Sequence, residues 1–233
     1  MRGHDAPDAP RIFTPEYYAG MRQLESGAWW NAGMRGIAAR LLDQVNLPET
    51  GSFLDAGCGS GQSMAWLSSM LPQWERFGID LAGDAILAAH SAGEPVAMGS
   101  VMNVPFADSS FALVMSLDVL QHLPLTGGDE AALKEFRRVL RPHGVLLIRT
   151  NAQSFPRVAD DIEEMYHRYD PAPLRRSIEQ AGFSVLKLSR ANSVLGLAEI
   201  PREIKARKRQ SGSYYGLLSR PSGGGVLNTA KLK

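Results

Sequence analysis

The chain has 233 residues, enough to bury roughly 70% of its unfolded surface in one sizeable core. Its 44% hydrophobic and 21% charged content is ordinary for a water-soluble globular protein, and a formal net charge of +1 provides no global field to draw in nucleic acid or an anionic membrane. The single cysteine, Cys58, excludes an intrachain disulfide, and with no signal-like or spanning apolar run of about 18 residues the expected setting is the cytoplasm.

Residues 1–10 are polar and proline-bearing and are expected to be loose. Thr14, a potential N-cap followed by Pro15, opens a helix carrying Tyr17, Tyr18, Met21 and Leu24. A second helix over residues 29–45 sets Ile37, Leu41 and Leu42 on one face, with Arg35 and Arg40 elsewhere. Together they suggest a helical cap over residues 1–50, ahead of one main unit over residues 51–233. The rings of Tyr17, Tyr18, Trp29 and Trp30 have two readings: a lid over a bound cation, or bulky anchors that pin a covering helix.

Residues 53–63 read as strand, tight turn and helix. Phe53 and Leu54 lead into Asp55, and Gly57, Gly59 and Gly61 follow at alternate positions before a helical pattern begins at Ser63. Glycine suits a turn whose backbone angles exclude a Cβ, or one that a ligand must approach closely. The turn opens at a helix N-terminus, where unpaired N–H groups favour an acceptor. The G-x-G-x-G spacing differs from the dinucleotide fingerprint, and an acid two residues ahead of it would repel a pyrophosphate. Asp55 is suited instead to a ligand bearing an ammonium or sulfonium. Cys58 is either a reactive thiol or a small residue filling the turn. Residues 74–80 read as a second strand, ending in Asp80 where a carboxylate can take both hydroxyls of a ribose.

A helix over residues 83–91 and a short strand over residues 94–99 come next. Residues 112–117 are nearly continuously apolar, as expected of a strand covered on both faces, and lead into Asp118 and His122. His122 has the proton affinity of a general base at neutral pH; the alternative is a histidine that packs below the site, and Asp118 is the weaker candidate. In the next helix Ala131, Leu133, Phe136 and Leu140 form the buried face, and Lys134, Glu135, Arg137 and Arg138 its solvated side. Pro142, His143 and Gly144 turn into a strand over residues 145–148. Residues 150–170, with Asn151, Phe155, Tyr166, His167 and Tyr169, follow the strand's end and are placed to decide the substrate. The acids Asp160, Asp161, Glu163 and Glu164 read as a solvated face, so no metal is expected. A helix over residues 172–181 precedes a strand over residues 183–189, and the basic run from Arg202 to Arg209 is read as another solvated face, the alternative being attraction of an acidic substrate or a phosphate. Residues 226–232 are the candidate for a seventh strand.

At residues 53–63, 77–80, 99–124 and 137–148 the chain resembles the class I S-adenosylmethionine (SAM)-dependent methyltransferases, small-molecule branch, in the manner of those of quinone biosynthesis. The resemblance implies a Rossmann-like, doubly wound α/β sheet of seven strands, the last antiparallel and inserted between the fifth and sixth, with helices on both faces. It implies that SAM lies across the carboxyl ends of the strands, held by Asp55, Gly57, Cys58, Gly59, Gly61, Asp80, Leu81, Ser100, Val101 and Leu117. Ser100 stands where the family places an acid for the adenine amino group, and Gln121 where it often has a first histidine before His122. The expected activity is methyl transfer to a small-molecule acceptor. The rival readings are a SAM-binding scaffold that has lost catalysis and a nicotinamide-dependent oxidoreductase, which the glycine spacing and Asp55 count against.

Overall fold

Apolar runs too short for helices and bounded by glycine and proline build the centre of the molecule. The computed structural model describes residues 28–152, 167–191 and 212–220. Helix α1 (Ala28–Leu42) leads to β1 (Gly51–Ala56), α2 (Gln62–Met70), β2 (Trp74–Asp80), α3 (Gly83–Ser91), β3 (Val96–Met98) and β4 (Phe111–Leu117). A 3-10 turn (Leu120–His122) is followed by α4 (Gly128–Val139), β5 (Leu140–Ala152), α5 (Pro171–Gln180), β6 (Ser184–Ala191) and β7 (Gly212–Ser219).

The seven strands form one sheet in the order β3-β2-β1-β4-β5-β7-β6. β1 pairs in parallel with β2 and β4, and β4 with β5, whereas β7 runs antiparallel to both neighbours, β5 and β6. The expected antiparallel insertion is therefore present, but a different segment supplies it. Residues 226–232 lie outside the described residues, and Gly212–Ser219 fills the slot. Leu217 and Leu218 of β7 are buried there on opposite faces, at 1% and 0% exposure.

Side chains alternate between two apolar clusters. Phe53, Leu113, Met115 and Leu147 meet Met34 and Leu41 of α1 and Met64 and Leu67 of α2. Leu54, Val114, Leu146 and Ile148 meet Leu133 and Phe136 of α4 and Leu174 and Ile178 of α5. Each fully buried Leu or Phe contributes roughly 1.5–3 kcal/mol, so helices cover the sheet on both faces because both faces are apolar. Helix α4 carries Asp129 and Glu130 in its first turn and Arg137 and Arg138 in its last, matching the helix dipole at both ends.

Two sequence expectations change. Pro142, His143 and Gly144 lie within β5, where the pairing with β4 shifts register, and His143 adopts φ 63° to form the irregularity. Glu135 and Arg138 are not a solvated face. Their side chains are 17% and 29% exposed, and both fasten the loop that follows β3. Among the described residues no helix is long and apolar enough to cross a membrane.

Gly78 lies where α2 crosses β2. A Cβ there would overlap Met64 Sδ and come within 2.9 Å of both Cys58 Sγ and Val96 Cγ1. Gly78→Ala is expected to lower stability by about 1–3 kcal/mol through overpacking, read as a shifted midpoint in urea denaturation. An unchanged midpoint would mean that helix and strand are not packed this closely.

Candidate functional site

In an open α/β sheet, ligands bind beyond the carboxyl ends of the strands, where the strand order reverses. Here that point lies between β1 and β4. Asp55 stands near the end of β1, Asp80 at the end of β2, Leu117 and Asp118 at the end of β4, and Arg149 in β5 opposite Leu117. Ser116, fully buried, donates its hydroxyl hydrogen to the Ala56 carbonyl at 3.0 Å and ties β4 to β1 beside the glycine turn.

The three turn glycines do different jobs. All have positive φ, at 90°, 52° and 84° for Gly57, Gly59 and Gly61. A Cβ at Gly57 would overlap Val119 Cγ2, and one at Gly61 would lie 3.0 Å from Glu94 Cγ, so both are required by packing. A Cβ at Gly59 would meet nothing within 4 Å, so the turn is open to an incoming ligand at this glycine. Four of the turn's own donors are already engaged. Gly57 and Cys58 both donate to the Ile79 carbonyl, at 2.8 and 2.9 Å, and Gly61 donates to Cys58 at 2.9 Å. Gly59 donates to Asp80 Oδ2 at 2.9 Å. A pyrophosphate would have to compete for these hydrogens, and Asp55 and Asp80 add two carboxyl groups nearby.

Asp55 is 1% exposed, and among the described residues neither of its carboxyl oxygens has a hydrogen-bond partner. Burial pushes its pKa from 3.8 up to about 8; the carboxylates of Asp80 and Glu94 add to the rise, and Arg149 opposes it. A buried polar group without a partner is disfavoured by about 1–3 kcal/mol or more and calls for a ligand. The donor that fits is a cationic N–H, because it stabilises the ionised carboxyl that the protein alone disfavours. Asp80 places its other oxygen on the Ala82 N–H at 2.9 Å, and Leu81, 58% exposed, offers an apolar surface beside it. These residues fit SAM, whose amino-acid end brings an ammonium and whose ribose brings hydroxyls.

Cys58 is 6% exposed with its sulfur against the core near Gly78, and burial pushes its thiol pKa upward. That environment suits a filler rather than a reactive thiol, and leaves Cys58 only its main chain to offer a ligand. The Ser100 hydroxyl accepts the Met102 N–H at 3.1 Å, and Val101 packs its side chain into the core at 5% exposure. On that side the loop presents backbone and the Ser100 oxygen. Its shape is held from α4. Arg138 donates to the carbonyls of Val104 and Phe106 and to Asp108, each at 2.8 Å, and Glu135 accepts the Val104 N–H at 2.8 Å.

At the end of β4 Asp118 takes φ 58°, an uncommon conformation for a non-glycine residue. Its carboxylate is gripped by Arg149, whose Nε lies 2.9 and 2.8 Å from the two oxygens. His122 ends the 3-10 turn that follows. Burial lowers its pKa below the ordinary histidine range, with Asp118 opposing, so the ring is neutral at neutral pH. Gln121 is 5% exposed, accepts from the Thr150 hydroxyl at 3.0 Å, and takes the His167 N–H on its carbonyl at 2.9 Å. Tyr169 donates its hydroxyl hydrogen to the Leu120 carbonyl at 3.2 Å. Gln121 is thus part of the frame that holds the turn carrying His122.

Sequence reasoning missed Arg149 and Trp66. With Met34, Arg35, Ala38 and Leu117 they line a cavity of about 50 Å³ beside the end of β4. The signal for Arg149 was present, since a cation follows the apolar residues 145–148 directly. Tyr17, Tyr18, Phe155, Tyr166 and the acids of residues 160–164 lie outside the described residues, as do the side chains of Trp29 and Trp30. Among the described residues no cluster of three His, Cys or acidic side chains could hold a metal ion.

The chain matches the methyltransferase-domain family over residues 54–148. The Encephalitozoon cuniculi protein ECU09_1500, named as a methyltransferase, is 31% identical over 172 residues, which cover 65% of this chain and 78% of that one. A malonyl-[acyl-carrier protein] O-methyltransferase of Dechloromonas aromatica is 26% identical over 189 residues, covering 78% of this chain and 70% of that one. A tRNA (carboxymethyluridine(34)-5-O)-methyltransferase of Arabidopsis thaliana is 29% identical over 103 residues, covering 44% of this chain and 24% of that one. In fold the chain is similar to Haemonchus contortus phosphoethanolamine N-methyltransferase 2 in complex with SAM, with a TM-score of 0.68, 16% identity, and 91% of this chain and 59% of that one covered. This kinship agrees with the strand order and with the acid set ahead of the glycine turn: the chain belongs to the class I SAM-dependent methyltransferases.

Proposed function

We propose that the protein methylates a small-molecule acceptor in the cytoplasm, with Asp55 as the residue that selects the donor. The carrying observation is the Asp55 carboxyl group, buried and, among the described residues, without a hydrogen-bond partner, ahead of the open face of Gly59. In this reading Asp55 receives the ammonium of SAM, while Gly57, Cys58, Gly59 and Gly61 form the turn around its amino-acid end. Asp80 and Leu81 take the ribose side, Ser100 and Val101 the adenine side, and Leu117 the wall near the sulfonium. SAM supplies a methyl carbon already activated by the adjacent sulfonium. The protein's part is to align the acceptor and remove its proton, and positioning alone can supply about 7–11 kcal/mol of the barrier.

His122 is proposed as the base. Its lowered pKa keeps the ring able to accept a proton at neutral pH, and the Gln121, Thr150 and Tyr169 contacts fix the turn that carries it. The relative named for malonyl-carrier methylation, matched over most of its length, supports a small acceptor. The relative named for tRNA methylation is matched over only 24% of its length. A net charge of +1 also supplies little attraction for a polyanion.

Asp55→Asn is expected to weaken S-adenosylhomocysteine binding by about tenfold or more in calorimetry, through loss of a charge-assisted contact. The same variant separates binding from stability. Because burial raises the Asp55 pKa to about 8, its contribution to the stability of the cofactor-free protein is complete below about pH 4 and is lost as pH rises through about 8. Asn does not titrate, so the melting temperature of the variant relative to wild type should climb between about pH 5 and about pH 9. A difference that stays flat over this range would contradict a buried, unpartnered carboxyl. His122→Asn should slow methyl transfer by about 10²–10⁴, measured with radiolabelled SAM and a metabolite extract, while cofactor affinity is retained. In wild type the acidic limb of the rate profile should lie below the ordinary histidine range, because the ring's pKa is lowered. A rate unchanged in the variant would remove His122 from the chemistry.

A further inference from the structure

The cavity beside the end of β4 has mixed walls: Met34, Ala38, Trp66 and Leu117 are apolar, Gln62 and Ser63 come from the start of α2, and two guanidinium-bearing residues line it as well, Arg35 from α1 and Arg149 from β5. The Arg149 side chain is only 14% exposed, so its charge is partly desolvated and strongly favours an anionic partner. Asp118 fills that need in the ligand-free chain. Nε of Arg149 meets both of its oxygens, at 2.9 and 2.8 Å, and Nη2 also pairs with Oδ2. The guanidinium is thus already posed to grip a planar carboxylate through two donors. Asp118 can yield: its side chain is 38% exposed and its backbone sits at φ 58°. Among the described residues two guanidinium-bearing side chains and no acid line the cavity, so an added negative charge is favoured there.

We propose that the methyl acceptor is a carboxylate-bearing small molecule, and that Arg149, assisted by Arg35 across the cavity, receives its carboxylate in exchange for Asp118. This inference rests on the SAM-dependent small-molecule reading and adds the acceptor's chemical class. Arg149 acts as a specificity residue: it selects the acceptor by charge and acts on the donor side only through its field at Asp55. A neutral acceptor would leave the Arg149–Asp118 pair closed and would gain nothing from either guanidinium.

The test uses the full chain saturated with S-adenosylhomocysteine and titrated, by calorimetry or ligand-observed NMR, with pentanoate and with pentanamide, which match in shape and differ in charge. Pentanoate should bind at least about tenfold more tightly than pentanamide, the effect of a charge-assisted bidentate contact. Arg149→Gln should abolish that preference, and Arg149→Lys, which keeps the charge that acts on Asp55 but not the fork, should retain part of it while S-adenosylhomocysteine affinity stays within about twofold. Asp118→Asn should tighten pentanoate binding by removing its competitor. Equal binding of the two probes to the loaded wild type would overturn the proposal alone. So would loss of S-adenosylhomocysteine affinity in both folded Arg149 variants, since Arg149 would then serve the donor. Failure of the wild type to bind S-adenosylhomocysteine would instead overturn the underlying function, and this inference with it.

Discussion

A carboxyl group sealed from water, with no hydrogen-bond partner among the described residues, is the constraint around which this structure makes sense. Asp55 is placed there by β1, the strand at the switch point, whose neighbours on both sides are parallel and whose faces are both covered by helices. The apolar surroundings that stabilise the sheet also disfavour the charged form of Asp55, so the fold keeps an acid that favours its neutral form. The donors of the glycine turn make the preference one-sided. With the Gly57, Cys58, Gly59 and Gly61 hydrogens directed at Ile79, Asp80 and Cys58, the turn offers little to an anion while Asp55 offers much to a cation. The same strand–turn–helix element, with its donors exposed and no acid ahead of it, would suit a diphosphate.

The rest of the site follows from what is tied to what. The loop after β3 keeps its shape because α4 reaches across to it through Arg138 and Glu135. The turn carrying His122 keeps its shape because Thr150 of β5, with His167 and Tyr169, holds Gln121 and Leu120. Core and site are therefore not separable: the helices that bury Phe136, Leu133 and Ile178 also aim the loops at the strand ends.

Much of this was legible in the residues. The segments Trp74–Asp80 and Gly83–Ser91 stand where the sequence pattern set them, because an apolar run ending in an acid and a helix flanked by glycine are local signals. What was not legible depends on partners distant in sequence. Helical periodicity gave the inward face of α4 but could not tell that the opposite face, with Glu135 and Arg138, is covered by a loop some thirty residues earlier. Pro142 and Gly144 punctuate the sequence like a chain reversal, yet β5 runs through them, because His143 and Gly144 exchange backbone hydrogen bonds with Arg220 beyond the end of β7. The inserted strand was expected too late in the chain. Gly212–Ser219 follows a basic run and carries two glycines and two serines, so only its pairing with β5 and β6 makes it a strand. Arg149 was passed over because one charge at the end of a strand gains meaning only beside Asp118 and the cavity.

The claim that a buried carboxylate selects an amine-bearing donor is tested most directly on wild-type protein by calorimetric comparison of S-adenosylhomocysteine with its deaminated analogue, which lacks only the amino group. The account predicts that the analogue binds at least about tenfold more weakly, with proton release from Asp55 accompanying only the amine-bearing ligand. Equal affinities, with the same proton balance for both, would contradict it.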